Sequence, residues 1–562
     1  MNVETRIVSS LEKIFCGPAF DGERFDRLSV LKGERAAFQI AFRCDSAATL
    51  RVAVDAGAFK GRVTVREVLS VPSLLPACPE DDYVLRKEPG LFPDALVPLK
   101  KKMTASPGNW HAVWVTAEVP PRGPAGVFPL KFALEFTSTA VGAPWQEPEP
   151  EKEIVEEAVL EVLEPALPKQ RLKVTHWFHA DCILFHYKVR PWSGKHWALL
   201  ERYFRNYAAH GSNLLLTPLW NLPLDIIPGV TGRPDCQLLK VFLDNDVWRF
   251  DFSLLERWIG LAEKCGIRNF EMVHAFSQWG VKYAPEITVT RDRRKVKMFG
   301  GHTPASSPAY EGFLRALMKE LLPFLAAHGL TPENCCFHIS DEPGLNALEN
   351  YRYASTLFRE LLGGYPVIDA LSSIAFFKEG LIDRPVPHES SLDEFIKEDV
   401  AERWVYYAGE WRDGMPGRMF GMPSLRNRVL GILLYVYGCD GFLEWGYNFW
   451  FSQYNRTWAV DPWRDTNSGR CFRSGGAFLV YPGPDGPVDS LRHEVIAEAF
   501  QDERALRLLE ALTSREEVLK LLDRETGFRI SLRHYPRSEK WLLGLRRKIN
   551  EKLASLAAPA RS

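Results

Sequence analysis

The hydrophobic pattern of this chain changes near residue 165, and that change is the strongest constraint on its fold. Before it, apolar residues alternate with polar or small ones, as at Phe38, Ile40 and Phe42. A period of two places one face of a strand in a core, and turns rich in Gly and Pro separate the alternating segments. We therefore predict a β-sandwich over residues 1–165, followed by a short linker that its prolines keep irregular.

After residue 170, short apolar runs alternate with long amphipathic stretches. Between the runs, apolar residues recur at helical spacing, as at Phe313, Leu317 and Leu321. Strands that alternate with helices predict an α/β fold, and eight such strands predict a (β/α)8 TIM barrel over residues 170–511. The eight runs lie at 173–178, 213–217, 269–273, 335–340, 366–370, 403–407, 441–445 and 477–481.

One structural alternative to the barrel is a doubly wound open sheet. No Gly-rich phosphate loop of the GxGxxG or GxxxxGK[ST] type follows the first apolar run, which disfavours that alternative. Residues 512–562 are charged and have helical spacing. We predict that they form a short helical C-terminal appendage, to which no chemistry is assigned.

The charge of the chain is close to balanced, with 70 Lys and Arg against 71 Asp and Glu. This balance argues against a general attraction to nucleic acid or to an acidic membrane surface. No uninterrupted apolar stretch of about 18 residues occurs, so no membrane span is predicted. The first residues lack a basic start followed by an apolar run, so we expect no secretory signal and a cytoplasmic protein.

The cysteine and histidine patterns predict no metal and no organic cofactor. The ten cysteines show neither a CxxC motif nor regular spacing, which is typical of reduced, buried thiols. The 13 histidines do not pair at metal-ligand spacing, and no HExxH motif occurs.

Two adjacent acidic residues, Asp341 and Glu342, end the fourth predicted strand, and Pro343 stops the strand directly after them. Hydrolysis of a glycosidic bond needs a proton donor for the leaving oxygen and a group that stabilises positive charge at the anomeric carbon. Glu342, with the longer reach, suits the proton donor. The structural alternative is a pair of acids that opens a helix and interacts with the helix dipole.

Neighbours on one strand end cannot easily flank a sugar from both sides, whereas the two carboxyls of a conventional retaining pair lie about 5 Å apart across the bond. The pair fits better if the sugar supplies its own nucleophile, the oxygen of a 2-acetamido group. Asp341 would then orient and polarise the acetamido N–H, while Glu342 protonates the departing oxygen.

Side chains at the other strand ends are candidate substrate ligands, because the strand ends of a barrel surround one pocket. For each of them, packing or hydrogen bonding within the core is the alternative. The candidates are Tyr407 for the acetamido oxygen, Trp445 and Trp279 for the walls of the sugar subsite, and His274, His179, Asp181 and Asn448 for sugar hydroxyl groups.

Two other functions are compatible with the same strand ends. In the first, Glu342 is the acid/base and Glu444 the nucleophile of a retaining glycosidase that acts on a sugar without an acetamido group. In the second, the barrel binds glycans without cleaving them. The sequence predicts no oligomeric state.

From residue 170 to about residue 510, the chain resembles glycoside hydrolase family 123 and the related proteins that carry domain of unknown function 4091. The matching segments are 337–343, 441–448, 461–463 and 478–483, and the segment 210–218 also fits. The resemblance implies β-N-acetylgalactosaminidase activity on an oligosaccharide or glycoconjugate, with retention through an oxazolinium intermediate. It also implies an N-terminal β-sandwich, and it assigns the catalytic Asp-Glu pair to Asp341 and Glu342.

Overall fold

The computed structural model describes residues 1–99, 102–139, 151–224, 233–408, 413–455 and 459–557. Within these ranges the fold is mixed α/β. The strands of the first part are β1 (Val3–Ser9), β2 (Arg27–Lys32), β3 (Arg35–Cys44), β4 (Ala48–Asp55), β5 (Arg62–Ser73), β6 (Gly90–Pro98), β7 (Met103–Ala105), β8 (Trp110–Glu118), β9 (Gly126–Ser138) and β10 (Lys152–Ala166).

The second part contains shorter strands. They are β11 (Lys173–His176), β12 (Leu214–Thr217), β13 (Lys240–Asp244), β14 (Val247–Asp251), β15 (Asn269–Met272), β16 (Ile287–Arg291), β17 (Arg294–Phe299), β18 (Cys335–Phe337), β19 (Ile368–Ala370), β20 (Arg384–Val386), β21 (Trp404–Tyr406), β22 (Gly441–Glu444), β23 (Tyr481–Gly483) and β24 (Gly486–Ser490).

Helices separate many of these strands and follow the last one. The α-helices are α1 (Ala180–His186), α2 (Gly194–Ala209), α3 (Ser253–Lys264), α4 (Pro308–Ala327), α5 (Leu348–Leu361), α6 (Ala375–Lys378), α7 (Leu392–Phe395), α8 (Ser424–Arg428), α9 (Leu430–Tyr437), α10 (Leu491–Leu512), α11 (Arg515–Thr526) and α12 (Glu539–Ala557). Short 3-10 helices lie at Leu345–Ala347, Glu389–Ser391 and Gln453–Asn455.

Two sheets pack face to face in the first part. One has the strand order β1-β3-β8-β5-β6-β24-β23, and the other has the order β2-β10-β9-β4-β7. The predicted alternation sets their packing, because every second side chain of β3 and β9 points into the shared core. Phe38 and Phe132 meet across that core with ring centroids 5.6 Å apart.

The last two strands of the first sheet come from the far end of the chain. β24 pairs with β6, so that Ser490 lies opposite Ala95, and β23 pairs with β24. The run 477–481 was predicted as the eighth barrel strand, but only Tyr481 enters a strand, and that strand belongs to this antiparallel hairpin. The other residues of the run are buried irregular backbone. An apolar run predicts burial without specifying the partner strand.

The second part contains three short parallel sheets with the orders β11-β22-β21, β12-β15-β18 and β19-β20. A single bridge joins Phe337 to Val367, and another joins His388 to Tyr406. Seven of the eight predicted runs contain one of these strands. The strand β20 was not predicted, because it has three residues with a proline at its centre.

The C-terminal helix α12 packs on the first part of the chain. Arg546 of α12 forms an ion pair with Glu34, and the Asn550 side chain donates to the carbonyl of Ser29 at 2.9 Å. Among the described residues, no helix is both long and apolar enough to cross a membrane. All ten cysteines are free thiols.

Candidate active site

A cavity of about 350 Å³ lies at the carboxyl ends of the parallel strands. Its polar and aromatic lining residues are Trp177, Gln278, Trp279, Asp341, Glu342, Tyr406, Trp445, Gln453, Phe472 and Arg473. A larger cavity, of about 520 Å³, lies between the first sheets and α12. The buried charges around that larger cavity pair with one another, as Arg546 does with Glu34 and Arg428 with Glu498.

The structure brings Asp341 and Glu342 together on the cavity wall with different hydrogen-bond partners. Asp341 is buried, and its Oδ2 accepts a hydrogen bond from Gln278 Nε2 at 2.7 Å. Glu342 is half-buried, and its Oε1 accepts a hydrogen bond from the Tyr406 hydroxyl at 2.5 Å. Burial and the Glu342 carboxylate raise the pKa of Tyr406 well above its usual value, so this phenol remains a proton donor. Each acid is therefore held by a neutral side chain that also lines the cavity.

The backbone at this strand end is strained. Glu342 has a φ of +44°, in the left-handed region that residues other than glycine seldom adopt. Trp279 and Val281, on the neighbouring loop, have φ values of +61° and +52°. Such conformations cost about 1–3 kcal/mol each and persist only where surrounding contacts enforce them. One such contact is the hydrogen bond from the Trp279 N–H to the Asp341 carbonyl, at 2.8 Å.

Aromatic rings form much of the remaining wall. Trp279 is 36% exposed and meets Tyr454 edge-on at 5.6 Å. Trp445 packs against Phe472, with ring centroids 4.7 Å apart. Trp177, which follows the first parallel strand, completes the lining from another side. Flat faces of this kind can receive the C–H face of a pyranose ring.

The tyrosine that lines the cavity is Tyr406, whereas sequence analysis selected its neighbour Tyr407. Successive side chains of a strand point to opposite faces, so only one of the two can face the cavity. Tyr407 is buried against Phe442, with ring centroids 5.1 Å apart. Its hydroxyl has no hydrogen-bond partner among the described residues.

Three further predicted ligands, His179, Asp181 and Asn448, do not line the cavity but form a network with Arg233 in which His179 is the centre. Arg233 donates to Asp181 Oδ2 at 2.5 Å and to His179 Nδ1 at 3.0 Å. Asn448 bonds the backbone N–H and carbonyl of His179, and His179 Nε2 lies 3.0 Å from the Trp445 carbonyl. Burial, with help from Arg233, lowers the pKa of His179 to about 4, so this histidine is a neutral partner that fixes the backbone of Trp445.

His274 lies beneath the cavity. Its ring stacks on His338 with centroids 4.3 Å apart, and Trp177 meets it edge-on at 5.0 Å. Neither ring nitrogen has a hydrogen-bond partner among the described residues. Burial lowers the pKa of His274 well below its usual value and keeps the ring neutral.

Glu444 is fully buried and does not line the cavity. Its Oε2 forms an ion pair with Arg418 Nη2 at 2.5 Å and accepts a hydrogen bond from the Gly446 N–H at 2.7 Å. Burial raises the pKa of Glu444 to about 7, against the opposing effect of Arg418. Arg418 also donates to the carbonyls of Gly446 and Gly476, so the pair ties together the backbone under the cavity wall.

Two groups of buried side chains bring possible metal-ligand atoms within 4.8 Å of one another. In both groups the two imidazole rings are stacked, with interplanar angles of 19° and 28°. Ring nitrogens in nearly parallel planes direct their in-plane lone pairs along separate planes, a geometry that does not suit one shared ion. The groups are His210, Asp489 and His493, and His274, His338 and Asp369.

Sequence analysis did not select several residues that line the cavity. Gln278 follows the predicted strand 269–273, and Trp177 lies near the end of the predicted strand 173–178, so their positions at strand ends were the available signal. Gln453, Phe472 and Arg473 lie in the segment between β22 and β23, where no strand end predicts a position.

Comparisons with known proteins identify the family of this chain. The sequence profile of the glycoside hydrolase 123 catalytic domain matches residues 177–509, more than half of the 562 residues. No curated protein sequence matches the chain. The solved structure of a family 123 glycoside hydrolase from Clostridium perfringens aligns with a TM-score of 0.71 at 13% identity, covering 99% of this chain and 98% of that chain.

A family 5 glycoside hydrolase from Bacteroides vulgatus aligns with a TM-score of 0.33 at 13% identity, over 62% of this chain and 69% of that chain. That similarity is too low to support an argument about fold. The profile match confirms the resemblance found in the sequence, and the chain belongs to glycoside hydrolase family 123.

Proposed function

We propose that this glycoside hydrolase removes terminal β-N-acetylgalactosamine, or another β-N-acetylhexosamine, with retention and with the substrate's own acetamido group as the nucleophile. The observation that carries the proposal is the pair Asp341 and Glu342, adjacent in the chain and on one wall of an aromatic cavity. Two acids on one side of a sugar suit a mechanism in which the protein supplies no nucleophile on the other side.

In the first step, Asp341 accepts a hydrogen bond from the acetamido N–H, and Gln278 holds the Asp341 carboxylate in place for that contact. The acetamido oxygen attacks the anomeric carbon while Glu342 gives its proton to the glycosidic oxygen, and the C–O bond to the leaving group breaks. In the second step, Glu342 takes a proton from water, which attacks the anomeric carbon and opens the oxazolinium ring with net retention.

Tyr406 has two roles in this proposal. In the free enzyme its hydroxyl donates to Glu342. With a sugar bound, the same hydroxyl donates to the acetamido oxygen and holds it for attack. Trp279, Trp445 and Trp177 surround the sugar ring, which places apolar contacts around the reacting carbon.

The proposal includes the architecture expected from the sequence. We interpret the three short parallel sheets as parts of a (β/α)8 barrel within 170–511, after a β-sandwich within 1–165 and before the helical appendage 512–562. The hairpin of β23 and β24 then belongs to the barrel segment but extends the sandwich. The related enzyme from Clostridium perfringens hydrolyses glycolipid glycans, which supports a glycoconjugate as substrate here.

The alternative with Glu444 as nucleophile has less support. A nucleophile must contact the anomeric carbon, and Glu444 is buried outside the cavity lining, where it binds Arg418. The glycan-binding alternative predicts the same cavity without turnover.

A panel of 4-nitrophenyl glycosides tests the proposal with wild type and Glu342→Gln. We expect wild type to cleave the β-N-acetylgalactosaminide or β-N-acetylglucosaminide and to release the sugar with retained configuration. Glu342→Gln should be slower by about 100-fold or more. The loss should be larger on a disaccharide, because a sugar leaving group needs protonation more than 4-nitrophenolate does. Cleavage of plain β-galactoside or β-glucoside alone would favour the Glu444 mechanism, and no turnover would favour glycan binding.

A further inference from the structure

Beneath Asp341 and Glu342 lies a buried charge network that the proposed chemistry does not use. It consists of Asp369, His338 and Glu271 and is called the Asp369 network below. All three side chains are fully buried. They come from three neighbouring strands: Glu271 from β15, His338 from the residue after β18, and Asp369 from β19.

His338 connects the two carboxylates. Its Nδ1 lies 3.1 Å from Asp369 Oδ1, and its Nε2 lies 2.9 Å from Glu271 Oε2. Burial alone would lower the pKa of His338, but the bonds to Asp369 and Glu271 outweigh it and raise the pKa to about 9. The imidazolium form therefore compensates two buried negative charges that would otherwise repel each other.

Asp369 also binds the backbone that leads to the catalytic pair. Its Oδ1 accepts the N–H of Ile339 at 3.0 Å, and its Oδ2 accepts the N–H of Ser340 at 3.2 Å and the Tyr351 hydroxyl at 2.7 Å. On the side that faces β19, backbone pairing of β18 stops at the bridge between Phe337 and Val367. The Asp369 side chain replaces the missing strand hydrogen bonds.

Backbone contact with the neighbouring strand resumes at Glu342, whose N–H donates to the carbonyl of Ala370 at 2.9 Å. Asp369 and Ala370 therefore hold residues 339, 340 and 342 in sequence, and Glu342 at the end of that segment has a strained φ of +44°. A strained catalytic residue keeps its geometry only if the segment before it is held.

We propose that Asp369, kept in place by His338 and Glu271, is the positioning residue for Asp341 and Glu342. This inference rests on the proposed function for its catalytic consequence. Asp369 touches no substrate: it acts through the amides of Ile339 and Ser340. Its removal should therefore lower kcat while leaving KM nearly unchanged, since the rings that contact the sugar stay in place.

The test compares Asp369→Asn with Asp383→Asn. Asp383 is a matched control, because its carboxylate also accepts a backbone N–H. The donor is Val367, at 3.0 Å, which directly precedes β19. Both variants should lose thermal stability. We expect Asp369→Asn to lower kcat by about 100-fold with KM changed by less than about threefold, and Asp383→Asn to keep the wild-type kcat.

Hydrogen exchange supplies a readout that does not depend on turnover. The amides of Ile339 and Ser340 should exchange faster in Asp369→Asn than in wild type, and at the wild-type rate in Asp383→Asn. If wild type cleaves no glycoside, the proposed function has failed, and these exchange rates together with crystal positions of the Asp341 and Glu342 carboxyls still decide the positioning role.

If Asp369→Asn does not fold, Tyr351→Phe provides the second variant, because it removes one donor from Asp369 Oδ2 without removing a charge. It should speed exchange at Ser340 and lower kcat by about fivefold with KM unchanged. The proposal would be overturned if Asp369→Asn, or Tyr351→Phe in its place, had the wild-type kcat and the wild-type exchange rates. Equal losses of kcat in Asp369→Asn and Asp383→Asn would also overturn it.

Discussion

Acidic residues at two strand ends of this protein are catalytic candidates from the sequence, and their surroundings in the structure differ. After β18, Asp341 and Glu342 reach an open cavity and bind the neutral side chains of Gln278 and Tyr406. At the end of β22, Glu444 is buried and binds the Arg418 guanidinium. A carboxylate at a strand end thus identifies a candidate, and its partner decides whether it is available for chemistry.

The two ends also differ in what supports them. Under Asp341 and Glu342, the charge that compensates buried carboxylates is the titratable imidazolium of His338. Under the other end it is the guanidinium of Arg418, which lies against Glu444. The first end combines the neutral partners Gln278 and Tyr406 with a strained backbone, and the second is a buried ion pair. The predictions below test this difference.

The largest expected contrast is catalytic. Asp341→Asn should reduce kcat/KM on the β-N-acetylhexosaminide by about 1,000-fold or more, because the amide cannot polarise the acetamido N–H as a carboxylate does. Glu444→Gln should reduce kcat/KM by less than about tenfold, although it should lower stability, since it leaves the Arg418 guanidinium buried without its anion. Steady-state kinetics and urea unfolding of both variants measure the two effects. The reverse order of kinetic losses would assign the chemistry to Glu444.

The second contrast depends on pH. Because the pKa of His338 is raised to about 9 in the folded protein, its stabilising charge is fully present below the ordinary histidine pKa of 6.5. That contribution is lost as the pH rises through 9, by about 1.4 kcal/mol per pH unit at most. The free energy of unfolding of wild type should therefore fall between pH 6.5 and 9 relative to His338→Gln. A constant difference between the two proteins would show that His338 is not charged.

A third comparison separates two neighbouring tyrosines. Tyr406→Phe removes the hydroxyl that binds Glu342 and should lower kcat by about 10- to 100-fold. Tyr407→Phe is the matched control, because it removes the hydroxyl of the next residue. That hydroxyl is buried and has no hydrogen-bond partner among the described residues. It should leave kcat unchanged and stability equal or slightly higher. Equal kinetic losses in both variants would contradict the assignment of Tyr406 to the cavity.

The smallest expected contrast concerns the two tryptophan walls. Trp279 is 36% exposed, so Trp279→Ala should raise KM by about tenfold while changing the free energy of unfolding by less than about 1 kcal/mol. Trp445 packs against Phe472 next to the Arg418 pair, so Trp445→Ala should lower stability as well as binding. Titration calorimetry with N-acetylgalactosamine and thermal unfolding distinguish the two outcomes.

Local pattern predicted much of this molecule. Apolar runs located seven of the short parallel strands, and the rule that strand ends share a pocket selected Asp341, Glu342, Trp279 and Trp445, which line one cavity. The rule was off by one residue at Tyr407, because a three-residue strand gives too little alternation to determine which side faces the cavity.

Other features depend on contacts between distant parts of the chain, which local pattern does not contain. The pairing of β24 with β6 joins residues nearly 400 positions apart. The apolar run 477–481 therefore predicts burial, but it does not predict that Tyr481 begins a hairpin that joins the first sheet. Similarly, nothing in the sequence around Glu444 indicates that this carboxylate forms an ion pair with Arg418. An acidic residue at a strand end is compatible with a buried ion pair and with a cavity wall, and the local sequence does not distinguish the two.

The central claim is that the nucleophile belongs to the substrate, and one series of substrates tests it most directly. In 4-nitrophenyl β-N-acetylgalactosaminides with zero, one, two or three fluorines on the acetamido methyl, the nucleophilicity of the acetamido oxygen falls step by step while the leaving group is constant. We expect kcat/KM to fall steeply with each fluorine. Equal kcat/KM across the series would contradict the account and place the nucleophile on the protein.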